Sequence, residues 1–547
     1  MTKFKSLLHL SFFGLLLYPF TAANAQVSAS SCNTSDVQSA INQATEGQTV
    51  TIPSGTCTWT SGVTVSGKGL TIKGAGAGRI IGYSSSTLAI GTGTKTLSVS
   101  STLVSGSLNL AVGETLRISE TGNRQNYMLG AVSSYGSGTL TMNISSTGGS
   151  CGNSSSSLSP SNCKRWLIST QPSTVIVNNS SAVLFNVTED STVNTNLSGF
   201  KIAAGTGSGS GVRFNAGGGA AIVLHDCWME NGTGGADSVY VAVNRGVISS
   251  CSFDSTPFSM APFAIHFAPF DTTAWSSPSY WGMSDSNGQH NVYIETNDFH
   301  AFLNMSDSDE GTRSVFRYNV LNNAGLGNHG ADSGPIGVRY FEFYKNVGNF
   351  NGYSDGTTFP MNWWIFVRGG SFVIHDNTLP ALVSTDYGTK ADVNMTVMNL
   401  QRNAGPNPCW GAGTTGGSRY YSPRQVGLGY VTGTGHAGNG SSTYSAASYG
   451  YPSQYVGDPE PAYIWANSRQ PLGNVVVSDY GTGQPDSCTG TVDSTANYIV
   501  ANRDYFNGST SKPGYTPYTY PHPLVGGGSQ QSSGPPAPPT GLSAVVN

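Results

Sequence analysis

Residues 306–323 read SDSDEGTRSVFRYNVLNN and set three acids, Asp307, Asp309 and Glu310, beside two arginines, Arg313 and Arg317. Only 10% of the chain is charged, yet 11 of the 51 residues from Glu295 to Lys345 are, about twice the average density. Each residue type suggests a chemistry. Carboxylates in a tight turn (Asp307, Asp309, Glu310) offer the hard oxygens that Ca²⁺ takes, although the later ligands of a calcium loop are missing. Guanidiniums at Arg313, Arg317 and Arg339 can neutralise an anionic substrate or, with a strongly perturbed pKa, take a proton. His329 and Asp332, in the loop NHGAD, have the types of a general base and its orienting acid. Pairs drawn from Asp307, Asp309, Asp332 and Glu342 could serve the two-carboxylate chemistry of glycoside hydrolysis. The plainer alternatives are a polar turn closed by Gly311, a solvated loop histidine, and a Glu295–Arg317 surface ion pair worth about 0–1 kcal/mol.

Aromatic residues crowd the flanking segments. Residues 255–289 hold Trp275 and Trp281 among several Phe and Tyr, and 350–364 hold Trp363 and Trp364. Flat apolar faces with polar edges suit sugar rings, and they suit loop packing equally well. Long insertions on a rigid scaffold are common homes for function.

The elements that must position these residues are short alternating strands closed by Gly, Ser or Asn. TNDF (296–299), YNVL (318–321), KNVG (345–348) and DNTL (376–379) align, so Asn297, Asn319, Asn346 and Asn377 recur at spacings of 22, 27 and 31 residues. A rung of about 22 residues with variable loops is what a β-solenoid requires. Asn suits a turn because it tolerates left-handed backbone and can bond a stacked neighbour. Alternation then sorts the side chains. Ile294, Phe316, Phe343 and Ile374 should fill the core. His225, Ser249, Glu295, Arg317, Tyr344 and His375 should form one outward column, and Tyr293, Val315 and Glu342 a second. The expectation is an outer wall on which Glu295, Tyr293, Tyr344 and His375 bind substrate beside the acids and guanidiniums.

The same register runs back through VLHDCWM (223–229) and ISSCSF (248–253), with Cys227 and Cys251 in the Asn position. Stacked strands lie about 4.8 Å apart, so a bridge between these cysteines is expected. Neighbour pairing also gives Cys32–Cys57, Cys151–Cys163 and Cys409–Cys488. Eight cysteines fit an oxidising compartment. The N-terminus agrees: Lys3 and Lys5, an apolar run to Phe20 and Ala23-Asn24-Ala25 read as a signal peptide over 1–25. No later stretch is long and apolar enough for a membrane helix. A net charge of −4 without a basic stripe gives no sign of a nucleic-acid partner.

A short helix from Thr34, with Ser35 and Gln38 at capping-box spacing, precedes the strands TVTIPSGT and LTIKGAGAG. With the Asn ladder, these features resemble right-handed parallel β-helix proteins of the pectin-lyase-like superfamily. The resemblance implies an all-β solenoid with an N-terminal capping helix, a small β insertion and long loops. The expected organisation is a cap and first coils over 26–94, an inserted β unit over 95–170 and a helix core with the groove over 171–400. A wrapping region over 401–525 and a Gly/Ser/Pro-rich linker and tail over 526–547 complete it, with a further C-terminal module possible beyond. That superfamily spans lyases, glycosidases, tailspikes and adhesins. The functional expectation is a secreted enzyme cleaving an extracellular polysaccharide, first a lyase on a uronic-acid glycan. A glycoside hydrolase on the same groove, or a non-catalytic glycan-binding adhesin, is the alternative.

Overall fold

The computed structural model describes residues 26–525, except 85, 102–107, 121–123, 152–162, 164–165, 189–190, 218, 232–235, 260–262, 272, 275–276, 303, 331–336, 350–362, 379–395, 402–425, 428–459, 469–474 and 479–498. The signal peptide, Asp332, Trp275, Cys409, Cys488 and the tail from 526 therefore lie outside the described residues, as does most of the expected wrapping region.

Three parallel sheets run the length of the molecule, with twelve, eight and ten strands among the described residues. One rung shows how they are threaded. Val292–Glu295 lies in the twelve-stranded sheet, Asp298–Phe302 in the eight-stranded sheet and Ser306–Ser308 in the ten-stranded sheet. Arg313–Arg317 then pairs beside Val292–Glu295 to begin the next rung. The chain is a right-handed parallel β-helix.

Apolar residues alternate into the bore because successive strand side chains point to opposite faces. Ile294, Phe316, Phe343 and Ile374 are fully buried there, and both outward columns fall in register. At the corner each ladder Asn points inward. The Asn319 Oδ1 accepts the backbone N–H of Asn297 (2.9 Å), and the Asn319 amide donates to the Ile294 carbonyl (2.8 Å). The pattern repeats through Asn346 and Asn377 to Asn467. The left-handed backbone sits one residue earlier than expected, at Thr296, Tyr318, Lys345 and Asp376, with φ of 60°, 55°, 54° and 53°. Such a φ is uncommon for Thr or Tyr; the buried ladder bonds hold it in place.

The helix Thr34–Gln43 covers the first rung with Val37, Ala40 and Ile41. Its N-cap is Asn33, and Gln38 makes no capping box. Gln38 instead bonds both backbone groups of Thr64, tying the cap to the helix end. A separate seven-stranded antiparallel sheet, with strands from Ile80 to Thr170, has its own core around Leu116, Met142 and Trp166.

Cys32–Cys57 and Cys151–Cys163 are bridged. Cys227 and Cys251 are not: both are buried thiols, and burial pushes the Cys251 thiol well up. They occupy inward corner positions on adjacent rungs, each directed to the carbonyl two residues before it, His225 and Ser249, at 3.3 Å. Parallel side chains on strands about 4.8 Å apart hold their Cβ atoms farther apart than the roughly 3.8 Å of a disulfide.

Candidate active site

The expected outer wall on the twelve-stranded sheet exists but is covered. Residues 512–525 cross it as a strap, and the segment 277–291 packs beside them. Arg317 has no exposed surface. Its guanidinium donates to Glu295 (2.8 Å), the Tyr344 hydroxyl (3.0 Å) and the carbonyls of Tyr518 (2.8 Å) and Thr519 (3.0 Å). Glu295 also accepts the His522 N–H, and Tyr520 stacks on Tyr318 at 3.7 Å. Glu342 is buried and accepts the Gly282 N–H (3.0 Å) and the Tyr515 hydroxyl (2.6 Å). Burial pushes its carboxyl up to about 7. Tyr293 packs against His522, and His375 stacks between Tyr344 and Trp465. With no open surface and their hydrogen bonds filled, these groups anchor the strap.

Arg339 is equally enclosed, bonded to Glu460 and to the carbonyls of Ala274 and Ser277. Trp364 fills the bore, and Trp281 lies under the Lys512 ammonium at 3.8 Å. The Trp363 side chain is outside the described residues. Arg313 faces a different place again, beside Asp271 at 3.2 Å. The described acids and guanidiniums of 306–342 are thus spread over separate surfaces rather than gathered on one wall. The physical reason is that the chain turns a corner after Ser308: Asp307 belongs to the ten-stranded sheet, Arg313 and Arg317 to the twelve-stranded one.

The open acid–base cluster lies on the ten-stranded sheet. The triplets Val212-Arg213-Phe214, Val239-Tyr240-Val241, Ile265-His266-Phe267 and Ser306-Asp307-Ser308 stack in register. The flanking residues, apolar in the first three triplets and buried serines in the last, face the bore, so Arg213, Tyr240, His266 and Asp307 form an outward column. Arg213 sits 4.3 Å over the Tyr240 ring. His266 Nδ1 meets Asp237 at 2.8 Å, and Asp307 is hydrogen-bonded to His329. Side-chain exposures of 27% for His266 and 23% for His329 leave both imidazoles reachable, while Asp307 is 10% exposed.

This environment separates the titrations. Burial pushes the Asp307 carboxyl up to about 6, against the pull of His266 and Arg368. Burial and the neighbouring Asp309 raise Glu310. Burial disfavours the His266 imidazolium, but the Asp237 hydrogen bond and the charges of Asp237, Asp307 and Asp309 raise it overall. Groups whose environments push their titrations apart, side by side and partly exposed, have the character of general acids and bases.

Sequence reasoning missed Arg213, Tyr240, His266 and Asp237. The signal was present in the apolar–polar–apolar triplets VRF, VYV and IHF. It was obscured because 255–289 reads as an interruption of the repeat, although Ile265–Phe267 is a regular strand within it. The expected calcium trio does not converge. Asp307 turns to His329, and the Asp309 carboxylate accepts the Glu310 N–H (2.6 Å). Among the described residues no three His, Cys, Asp or Glu side chains are grouped to hold a metal ion, whereas Ca²⁺ takes about 6–8 oxygens.

No protein-family model matches the chain, and no curated protein matches it. Solved structures similar to it include the tailspike protein gp49 from Pseudomonas phage LKA1. That match has 11% identity over 82% of this chain and 76% of that one, with a TM-score of 0.23. An alginate lyase from Paenibacillus sp. str. FPU-7 matches at 12% identity over 83% and 98%, with a TM-score of 0.24. A structure titled glycoside hydrolase matches at 8% over 67% and 84%, with a TM-score of 0.25. The parallel β-helix architecture expected from the sequence is that of the chain itself. Likeness at this level carries nothing about activity, which must be argued from the cluster itself.

Proposed function

We propose that this chain is a secreted enzyme that cleaves a glycosidic bond in an extracellular polysaccharide, at the cluster on the ten-stranded sheet. The observation that carries the reading is the Asp307–His329 pair beside the His266–Asp237 pair on the next rung. Asp307, protonated below about pH 6, is the proton donor to the leaving oxygen. The carboxylates of Asp309 and Glu310 are the groups available to activate water, while His266, oriented by Asp237 and raised above the ordinary imidazole range, stays charged there and can donate to a substrate oxygen. The five-position column from Asn186 to Asp307 is regular. At strand spacings of about 4.8 Å it is roughly 19 Å long, a length suited to a linear polymer lying along the helix axis. Two bridged cysteine pairs fit the oxidising compartment in which such polymers are met.

Hydrolysis is the first reading, because a raised carboxyl beside other carboxylates is the pairing that glycoside hydrolysis uses. Elimination on a uronate glycan is the second. Arg213 and Arg368 favour it, since they put positive charge near Tyr240 and Asp307. The purified chain incubated with a panel of polysaccharides should release reducing ends. Unsaturated, ultraviolet-absorbing ends would identify elimination, and their absence hydrolysis. Asp307→Asn should lower turnover by about 10²–10⁴-fold, the usual worth of a positioned acid or base. An Asp307→Asn chain as active as wild type would overturn the assignment.

A further inference from the structure

Next to the cluster lies a cavity of about 280 Å³ with a different chemistry. Its walls come from the residues that follow the column strands: Ala216 and Gly217 after Arg213, Ala242 to Arg245 after Tyr240, and Pro269 and Asp271 after His266. Tyr240 and Asn244 are four residues apart, so their Cα atoms lie within about 14 Å. The turn that leaves Asp307 closes the cavity from the other side. The Glu310 carbonyl accepts the Asp271 N–H (2.9 Å), and the Gly311 carbonyl accepts the Asn244 side-chain amide (3.0 Å).

Two guanidiniums and one carboxylate line this cavity, Arg245, Arg313 and Asp271. Arg313 is 9% exposed, and its backbone N–H is held by the Asn244 side chain (2.9 Å). A guanidinium has five N–H donors. In Arg313 one nitrogen meets Asp271 at 3.2 Å, while the buried Nε–H has no acceptor. Leaving a buried charged donor unsatisfied is costly, and such atoms call for a partner that arrives from outside. Arg245 donates to the carbonyls of Ala220 (2.6 Å) and Gly217 (3.3 Å), which orient it. Tyr280 lies under Arg313, with 5.1 Å between ring centre and guanidinium carbon, and supports it from below.

We infer that this cavity is a subsite for the anionic substituent of a glycan, a carboxylate or a sulfate ester. Arg313 and Arg245 hold the anion, and Gln289 on the cavity wall is placed for a ring hydroxyl. The volume is close to the smallest ligand pockets and suits one sugar unit. The inference rests on the cleavage reading above and deepens it: the polymer that reaches Asp307 is an acidic one.

The test measures binding separately from cleavage. The Asp307→Asn chain is titrated calorimetrically with pectate, alginate and a sulfated galactan, each beside its carboxyl-reduced or desulfated form. At least one charged polymer should bind about tenfold or more tightly than its neutral form, as expected for a charge-assisted contact. Preference for a carboxylated or a sulfated polymer identifies which anion the subsite takes. Arg245→Gln and Arg313→Gln should each abolish that preference, with thermal melts confirming that the variants fold. Equal affinity for charged and neutral forms, or no binding to any of the three, overturns the inference without recourse to any variant. So does a preference that survives both substitutions. Cleavage of charged and neutral polymers at equal rates would keep the catalytic reading and sink the subsite. Full activity in Asp307→Asn would do the reverse, because the titrations still judge the cavity.

Discussion

Glu342 separates a catalytic from a structural role for the covered wall. Its carboxyl is held at about 7 against an ordinary value of 4.5, chiefly by burial, which the Tyr515 and Gly282 hydrogen bonds only partly oppose. A group raised on folding binds its proton more tightly in the folded state. Its contribution to stability is therefore complete below about pH 4.5 and is lost as pH rises through 7. The gap of about 2.5 units corresponds to roughly 3 kcal/mol at about 1.36 kcal/mol per unit. Glu342→Gln removes this titration and keeps both partners, since the amide can donate to the Tyr515 oxygen and accept from the Gly282 N–H. Melts of both proteins across pH 4–8 should diverge with rising pH. The variant should gain up to about 3 kcal/mol relative to wild type, a shift of a few degrees for a chain this long. Other buried groups, such as His522, held down at about 4 by burial, cancel in the difference. Melting curves that stay parallel across the range would refute the linkage argument. A hundredfold loss of glycan cleavage in the variant would refute the strap-anchor role.

Three further outcomes follow from the same contacts. Arg317→Met leaves the Glu295 carboxylate buried without its partner and should cost about 3–5 kcal/mol in urea denaturation; a loss under about 1 kcal/mol would show the clamp to be dispensable. Alkylation of the denatured chain without reductant should label Cys227 and Cys251 while sparing Cys32, Cys57, Cys151 and Cys163; a Cys227–Cys251 peptide in the digest would restore the bridge. If Asp307 acts as the acid, kcat/KM should fall as pH rises through about 6, where its proton is lost, and a profile flat from pH 5 to 8 would exclude that role.

The rungs were legible because period-2 alternation and a recurring corner residue leave a repeat that survives variable loops. Asn297, Asn319, Asn346 and Asn377 could be aligned without any structure, and that alignment predicted which residues enter the bore. It also named the outward columns correctly but could not say what lay over them. The strap comes from 512–525, some 170–230 residues beyond Glu295–Tyr344 in sequence, and has no periodicity to announce where it docks. Tyr515, Tyr518 and His522 find their partners only through the fold. The cysteine expectation failed on a finer scale: spacing along the axis was right, but parallel Cβ directions decide whether two sulfurs can meet. His266 and Tyr240 were overlooked because three-residue strands carry too little pattern to stand out from the aromatic segments around them.

The same helix thus treats two outward faces in opposite ways. On the twelve-stranded sheet Arg317 has lost all solvent and donates to Glu295, Tyr344 and the strap carbonyls, so binding a ligand there would require removing the strap. On the ten-stranded sheet His266 and His329 keep about a quarter of their side-chain surface, and each imidazole is oriented by a carboxylate. Arg313, one corner away, is buried enough to be rigid and still lacks an acceptor for Nε–H. A charged group that is saturated and sealed stabilises; one that is oriented but unsaturated can bind and react. By that criterion the charge density of 306–342 has two unrelated sources, since one part of it anchors the strap and the other borders the open cluster.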